Sequence, residues 1–210
     1  MQNIILFDTT GIHQEFLPLT FTRPVSDIRI GIFTIREKWE SRLPGIYSYD
    51  TADYLTVKYP MNIASNSFFI AGNVCPDEKL VAAISSLSEC ESLFYRDELI
   101  AFYGSLDAFR KKDFGVKHTL NEEPFMIRKL YDIFLKNGEA LEADYRYIVS
   151  SGKSEPLSAS NRVIGDPCFP DGTPKIFIEP GAVVECSALN VTKGPVYIGK
   201  DAEIMEGVSI

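Results

Sequence analysis

The loop at residues 16–24, with the sequence FLPLTFTRP, carries residue types well suited to binding phosphate. The hydroxyls of Thr20 and Thr22, and backbone N–H groups that precede a helix, are donors that phosphate oxygens accept. The guanidinium of Arg23 suits a pair of phosphate oxygens, and the ammonium of Lys38 supplies a point charge. We therefore predict a phosphate-binding site here, with Arg23 and Lys38 as its catalytic residues and the two threonines as substrate contacts.

The basic residues after this loop have a competing explanation. Arg29, Arg36 and Arg42 lie on a segment with helical periodicity that also carries glutamates, so they can form a solvated helix face with acidic partners. Arg23 lies in the loop itself, where a helix face does not explain it, and its alternative role is a buried ion pair. Arg29 is therefore predicted only as a supporting contact of the bound substrate.

Short apolar runs alternate with helical patterns on both sides of this loop. Residues 3–7 predict a buried strand, and apolar residues at steps of three and four predict a helix over 28–43, ended by Pro44-Gly45. Further strands are predicted at 46–49, 68–71, 93–95 and 99–103, a helix opening at 76–77, and a long helix over 127–148 with an interruption at 137–138. The alternation predicts a layered α/β domain over residues 1–150.

The end of the chain has a six-residue rhythm. Bulky residues recur in this rhythm from residue 178 onward, at Ile178, Val184, Ile198, Ile204 and Ile210. This pattern predicts a parallel β-helix over 176–210, preceded by a polar linker at 151–175, whereas the alternative is a pair of ordinary edge strands. The segment is shorter than the roughly three units that repeat arrays generally need, so we expect a longer solenoid or a packing partner.

Composition limits the class of partner. The chain has 210 residues and a formal net charge of -8, which disfavours a nucleic-acid partner because phosphate backbones are bound by many Lys and Arg side chains. Its four cysteines form no C-x-x-C pair, which is typical of a reduced cytoplasmic protein. No signal peptide or apolar span is evident in the sequence, so a membrane partner is not expected.

Four stretches together resemble a known family. They are LPLTFTRPVSDIRIGIFTIREKWE, IAGNVCPDEKLVAAI, LYDIFLKN and the six-residue repeats at the end. The chain resembles the alternate bacterial form of bifunctional UDP-N-acetylglucosamine diphosphorylase/glucosamine-1-phosphate N-acetyltransferase over essentially its whole length. The resemblance implies a nucleotidyltransferase-like (Rossmann-like) α/β domain followed by a left-handed β-helix that forms a homotrimer. It also implies Mg²⁺ as a cofactor, and acetyl-CoA for the full-length protein.

The sequence departs from the wider sugar nucleotidyltransferase pattern at two positions. The usual G-x-G-T-R loop after the first strand is replaced by residues 8–11, DTTG. The Gly-Asp pair that supplies a metal carboxylate in the wider group corresponds here to Gly72-Asn73, which we predict as substrate contacts. An amide oxygen can contact Mg²⁺ but brings no negative charge, so we expect weaker Mg²⁺ affinity unless another carboxylate compensates. Asp77, Asp107 and Asp132 are candidates by residue type, and each also fits a helix cap or a surface charge.

The predicted function is transfer of a nucleotidyl group from a nucleoside triphosphate to a sugar 1-phosphate. The resemblance implies uridylyl transfer to N-acetylglucosamine 1-phosphate, with acyl transfer located beyond these residues. The first alternative is a non-catalytic module that binds nucleotide or sugar and assembles through the β-helix. The second alternative is a scaffold whose solenoid, in a longer protein, carries out acyl transfer.

Overall fold

The computed structural model describes residues 2–210 and divides into two compact units, Met1–Asn137 and Gly138–Ile210. Among the helices of residues 2–210, none is both long enough and apolar enough to cross a bilayer. The predicted domain boundaries at 150 and 175 stay predictions.

A six-stranded mixed sheet forms the centre of the first unit. Its strands are β1 (Gln2–Phe7), β2 (Gly45–Asp50), β3 (Ser67–Ala71), β4 (Glu91–Tyr95), β5 (Glu98–Gly104) and β6 (Val116–Thr119). They lie in the order β2-β1-β3-β5-β4-β6, and β1 is parallel to both β2 and β3. Strand β5 runs antiparallel to its neighbours β3 and β4. Strands and helices alternate along the chain, which confirms the predicted α/β class.

Five helices follow or precede these strands. They are α1 (Thr10–Glu15), α2 (Ile35–Arg42), α3 (Glu78–Ser85), α4 (Leu106–Lys111) and α5 (Asp132–Leu135). Short side chains start four of them by accepting a backbone N–H, as Thr9 does for α1 and Asp77 for α3. This confirms the alternative interpretation of Asp77 as a helix cap. Three single 3₁₀ turns, Leu19–Phe21, Val25–Asp27 and Asp53–Leu55, lie in the loops beside β1 and β2.

The helix predicted over 28–43 is wrong in its first part. Helix α2 begins only at Ile35, because Thr34 and Glu37 form a capping box in which each side chain accepts the other's backbone N–H. Residues 29 and 34 instead form an isolated antiparallel bridge. The buried residues Ile28 and Ile30 therefore reach the core from an extended segment, which mimics helical spacing in the sequence.

Apolar side chains on both faces of the sheet form the core. Ile4, Ile5 and Leu6 of β1 are fully buried, as expected for a strand with a parallel neighbour on each side. Trp39 of α2 is also fully buried, and its Nε1 donates a 2.8 Å hydrogen bond to the carbonyl of Val74. The indole group is thereby satisfied, and α2 is fixed against the segment that follows β3.

The second unit begins one residue into α6 (Asn137–Ser151) and continues with six short strands. These are β7 (Arg162–Ile164), β8 (Ile176–Ile178), β9 (Val183–Val184), β10 (Ala188–Asn190), β11 (Val196–Ile198) and β12 (Glu203–Ile204). They form three parallel pairs, β7 with β10, β8 with β11, and β9 with β12. Strand β7 lies within the segment that the sequence predicts as a linker.

Four of the five bulky residues of the six-residue rhythm are buried or partly buried in this unit, whereas Ile210 is exposed. Ile178, Val184 and Ile198 are buried in one cluster, and Ile204 packs against it. In the strand register Ile178 lies opposite Ile198 and Val184 opposite Ile204, so repeated bulky residues stack on each other.

Candidate active site

The carboxyl ends of β1, β2 and β3 meet at one edge of the sheet. In the register Phe7 lies beside Asp50 on one side and Ala71 on the other, so residues 8, 51 and 72 follow the three strands side by side. Open α/β sheets bind ligands outside the carboxyl ends of their parallel strands, where neighbouring strands diverge in chain order. This edge is therefore the place where the fold predicts a site.

Two cavities of about 660 and 680 Å³ open at this edge. We call them the Phe109 cavity and the Tyr54 cavity, after an aromatic residue in the wall of each. Both are large enough for a small-molecule ligand. They share five residues, which are Asp8, Thr9, Thr10, Asp50 and Arg110. The turn after β1 thus forms a wall common to both.

Asp8 is the most heavily bonded residue of this shared wall. Its side chain is 2% exposed, and its Oδ2 accepts hydrogen bonds from the backbone N–H of Val25 at 3.1 Å and the hydroxyl of Thr51 at 2.8 Å. Nδ1 of His13 lies 3.5 Å from the same oxygen. The other oxygen, Oδ1, is buried and has no hydrogen-bond partner among residues 2–210. The carboxylate of Asp8 therefore links the end of β1 to the segments of His13, Val25 and Thr51, while its Oδ1 stays unpaired within residues 2–210.

Gly72 and Asn73 lie against this carboxylate and the Phe109 cavity. A Cβ atom on Gly72 would lie 2.8 Å from Oδ1 of Asp8, so only glycine leaves room for the carboxylate. The side-chain amide of Asn73 donates a 2.8 Å hydrogen bond to the carbonyl of Ile127. The backbone N–H of Ile127 in turn donates a 2.9 Å hydrogen bond to the backbone carbonyl of Asn73. Asn73 is buried and anchors the segment that leads to the basic residues 128 and 129.

Three basic side chains line the Phe109 cavity, and each has an acidic partner. Arg110 lies 2.7 Å from Asp50, Lys129 lies 2.7 Å from Glu15, and Arg128 contacts both Glu98 and Glu123. The hydrogen bond and charge of Glu15 raise the pKa of Lys129. Partial burial acts to lower the pKa of Arg128, but the hydrogen bonds and charges of Glu98 and Glu123 outweigh burial and raise that pKa. Arg128 and Lys129 are therefore cationic at neutral pH.

The two basic residues 128 and 129 are held by a tight turn. Oδ2 of Asp132 accepts the backbone N–H groups of Arg128 at 2.7 Å and Lys129 at 3.0 Å. Burial would raise the pKa of Asp132, but these two hydrogen bonds, with the charges of Lys136 and Arg128, lower it below its usual value. Asp132 thus caps the turn before α5, a structural role that differs from the predicted helix cap.

The other two metal candidates also have structural roles. Asp77 caps α3 through a 2.7 Å bond from the N–H of Leu80, and Asp107 pairs with Lys111 on the surface of α4. Within residues 2–210 there is no group of three or more His, Cys, Asp or Glu side chains placed to hold a metal ion. Asp8 and Asp50 are the carboxylates at the shared wall.

The Tyr54 cavity has a mixed polar and aromatic wall. Its lining adds His13, Gln14, Leu17, Phe21, Thr51, Ala52, Asp53 and Tyr54 to the shared residues. The hydroxyl of Tyr54 donates a 2.9 Å hydrogen bond to the carbonyl of Thr20 and lies 3.0 Å from Nε2 of His13. The hydroxyl of Thr20 donates at 2.7 Å to the carbonyl of His13. These three residues form a closed ring of hydrogen bonds under the cavity.

The structure brings together only some of the residues that the sequence predicts for the site. Asn73 lines the Phe109 cavity, Gly72 lies against Asp8, and Thr20 is fully buried beneath the Tyr54 cavity. The predicted residues that line neither cavity are Thr20, Thr22, Arg23, Arg29, Lys38 and Gly72. Of these, Arg23 is exposed and Lys38 is 3% exposed on α2.

Arg29 and Arg36 have the acidic partners that the helix-face explanation requires. Nη2 of Arg29 lies 3.7 Å from Glu37, and its Nη1 also contacts the carbonyl of Ile32. The side chain of Arg36 pairs with Asp27 at 2.9 Å and Glu40 at 2.8 Å. Both arginines therefore take part in the surface of α2 and the turn before it.

Sequence reasoning did not propose Asp8, Asp50, Arg110, Arg128 or Lys129 as site residues. A usable signal exists for the first two, because Asp8-Thr9 and Asp50-Thr51 each follow an apolar strand pattern. The basic residues carry no such signal, since they reach the site from α4 and from the turn before α5.

Comparison with known proteins places this site inside a family match. A model described as sugar nucleotidyl transferase matches residues 4–153, which include every residue of the two cavities. No curated protein matches the chain. The match spans more than half of the sequence, and the chain therefore belongs to the sugar nucleotidyl transferase family.

Proposed function

We propose that the first unit joins a nucleoside triphosphate to a sugar 1-phosphate and releases pyrophosphate at the wall shared by the two cavities. The observation that carries this proposal is that the two cavities have five lining residues in common, which are Asp8, Thr9, Thr10, Asp50 and Arg110. A reaction between two phosphorylated substrates needs two pockets that meet where the phosphates meet. Positioning of this kind supplies a large part of catalysis in phosphoryl chemistry.

In the proposed step, an oxygen of the sugar phosphate attacks the α-phosphorus of the nucleotide. The bond from that phosphorus to the bridging oxygen breaks, and its electrons leave with pyrophosphate. Arg110 faces both cavities, so its guanidinium can stabilise negative charge that shifts between the substrates. In the described structure this guanidinium pairs with Asp50 at 2.7 Å, so phosphate would compete with that carboxylate for it.

The lining of the Phe109 cavity suits a substrate that arrives with Mg²⁺. It holds five acidic side chains against three basic ones, so a bare phosphate group would meet net negative charge. Mg²⁺ usually keeps several waters and is bound through one or two carboxylates together with substrate phosphates. The carboxylates of Asp8 and Asp50 fit that role, and Oδ1 of Asp8 is unpaired within the described part of the chain. When bound, the ion would neutralise phosphate charge.

The finer assignment of the reaction rests on the family resemblance. It favours a uridine nucleotide and N-acetylglucosamine 1-phosphate, in a cytoplasmic enzyme. We further propose that the second unit begins a left-handed β-helix, supported by three parallel strand pairs and the stacking of Ile178 on Ile198. Trimer formation and an acetyl-CoA site would then belong to a longer solenoid.

Two sets of cations are proposed for the triphosphate. The sequence proposes Arg23 and Lys38, with Thr20, Thr22 and Arg29 as secondary contacts. The geometry favours the basic residues that line the cavities, foremost Arg110. Substrate contacts by Gly72 and Asn73 belong to both proposals, because Gly72 lies against Asp8 and Asn73 lines the Phe109 cavity.

The direct test is pyrophosphate release by the purified chain. The chain is incubated with Mg²⁺, each of the common nucleoside triphosphates and a panel of sugar 1-phosphates, and pyrophosphate is measured by a coupled assay. We expect release only when a matching pair of substrates is present. A chain whose melting temperature rises with these ligands, but which releases no pyrophosphate from any pair, would instead be the non-catalytic binding module.

A further inference from the structure

The ring of Tyr54 is exposed while its hydroxyl is tightly held. The residue is 59% exposed and lines the Tyr54 cavity. We infer that this ring is the stacking surface for the base of the nucleotide, and that the Phe109 cavity takes the sugar 1-phosphate. The inference rests on the proposed function and assigns its two subsites.

Hydrogen bonding fixes the orientation of the ring. The single hydroxyl hydrogen of Tyr54 goes to the carbonyl of Thr20, so Nε2 of His13 must donate to the same hydroxyl oxygen. Both partners are buried, and Thr20 is bonded back to His13. The rings of Tyr54 and His13 meet at 77°, so they do not stack. The Tyr54 ring is thus anchored at one end, without being stacked on another aromatic ring of residues 2–210.

An anchored, exposed ring is well suited to bind a planar group. A mobile side chain loses rotamer freedom when a ligand orders it, whereas a ring that is already fixed loses little. Every nucleobase has a π face, so stacking on an aromatic side chain strengthens the binding of any base, whatever polar groups it carries. Phe21, which is 60% exposed, and Leu17 add apolar surface to the same wall. Gln14 and Asp53 supply polar groups for the edge of a base.

The aromatic residues of the Phe109 cavity have less free ring face on which a base could stack. Phe109 stacks on Phe69, with ring centroids 4.1 Å apart at an angle of 7°, and Phe114 packs edge-on against Phe102. Their faces are therefore partly used within the core. The same cavity also presents Glu98 and other acidic groups, which are acceptors suited to sugar hydroxyls. This contrast favours the base in the Tyr54 cavity and the sugar in the Phe109 cavity.

The test compares ring removal with hydroxyl removal. Tyr54→Leu lacks the ring, Tyr54→Phe keeps it, and Tyr131→Leu is the matched control, because Tyr131 is 62% exposed in the same unit and lines neither cavity. Binding of UTP, the other nucleoside triphosphates and N-acetylglucosamine 1-phosphate is measured separately by calorimetry with Mg²⁺. Circular dichroism melts verify that each variant is folded.

We expect Tyr54→Leu to weaken nucleotide binding by about tenfold or more and to leave sugar 1-phosphate binding within about twofold. Tyr54→Phe should retain most of the affinity, and base protons should shift upfield in NMR spectra on binding the wild type but not Tyr54→Leu. An unchanged nucleotide affinity in Tyr54→Leu, or a loss confined to the sugar 1-phosphate, overturns the inference.

The outcome is distinguishable from failure of the proposed function. If the wild type releases pyrophosphate and Tyr54→Leu binds nucleotide as tightly, only the stacking assignment fails. If nucleotide binding depends on the Tyr54 ring but no substrate pair yields pyrophosphate, only the proposed reaction fails. A wild-type chain that binds none of the nucleotides overturns both.

Discussion

The hydroxyl of Thr51 donates a 2.8 Å hydrogen bond to Oδ2 of Asp8. Each of these residues is the first one after its strand, and the strands β1 and β2 are parallel neighbours in register. The same oxygen accepts the N–H of Val25, which lies in the loop between these strands. The carboxylate therefore holds the loop and the two strand ends in one arrangement around the shared wall.

Replacing Thr51 by valine tests how much this bond stabilises the edge of the sheet. Valine has nearly the shape of threonine but cannot donate, and a hydrogen bond to a charged group contributes about 1.5–3 kcal/mol. We expect Thr51→Val to lower the free energy of unfolding by about that amount in urea titrations. Thr51→Ser keeps the donor and should lose clearly less. Equal losses in the two variants would mean that packing, and not the hydrogen bond, matters at this position.

The close contact of Gly72 with Asp8 gives a second prediction. A methyl group at residue 72 would lie 2.8 Å from Oδ1 of Asp8 and 3.2 Å from the carbonyl of Phe7, and neither atom can retreat easily. Gly72→Ala should therefore lower the free energy of unfolding by about 1–3 kcal/mol and reduce pyrophosphate release. Gly11→Ala is the control, because nothing lies within 4 Å of the added methyl and α1 should gain about 0.5–1 kcal/mol. A stable Gly72→Ala variant with full activity would show that the wall can shift.

The elements whose signals are local were predictable from the sequence. The apolar run at 3–7 forms β1, and the helix predicted to open at 76–77 starts with Asp77 as its cap. The helical spacing of residues 28 and 32 was misleading, since the capping box of Thr34 and Glu37 starts α2 later. Spacing alone does not tell a helix from an extended segment whose side chains happen to reach the core.

The site was less predictable, because it depends on strand pairing across the chain. Asp8 and Asp50 lie close together only because β1 and β2 pair in parallel, and Arg110 comes from α4. The sequence does mark Gly72-Asn73 as special, and in the structure Gly72 lies against Asp8 while Asn73 lines the Phe109 cavity. A sequence pattern reports neighbours along a helix or strand, whereas a cavity gathers residues from several of them.

Variants of Arg110 and Arg23 distinguish the two proposals for the triphosphate. Loss of a charged hydrogen bond to phosphate corresponds to about a 10- to 100-fold loss of affinity. If the shared wall holds the phosphates, Arg110→Ala should lower kcat/KM by about this factor, whereas Arg23→Ala should change it less than about threefold. Steady-state kinetics of pyrophosphate release measures both.

The control for Arg110 is its neighbour in the helix. Lys111 pairs with Asp107 on the surface of α4 and lines neither cavity, so Lys111→Ala removes a positive charge nearby without touching the site. Its kinetics should match the wild type. A large loss in Arg23→Ala, with Arg110→Ala unaffected, would favour the loop at residues 16–24 as the phosphate-binding site.

The stability of the turn that carries Arg128 and Lys129 should depend on pH through the ionisation of Asp132. The pKa of Asp132 is lower in the folded chain than its usual value of 3.8, because the hydrogen bonds from the two backbone N–H groups and the nearby positive charges outweigh the effect of burial. Its stabilising contribution is therefore fully present above about pH 4 and is lost as the pH falls through the folded-state pKa. Asp132→Asn should cost about 1 kcal/mol at neutral pH.

Urea unfolding of wild type and Asp132→Asn from about pH 3 to about pH 7, a range that includes the usual Asp pKa, measures this effect. The gap between the two proteins should narrow below about pH 4, since protonated Asp132 resembles the neutral amide. Asp107→Asn is the control, because Asp107 is exposed and pairs only with Lys111 on the helix surface, so its stability should follow the wild type at each pH. A gap that stays constant down to the lowest pH would show that the amide weakens the turn by its shape, and that the charge of Asp132 does not hold Arg128 and Lys129 in place.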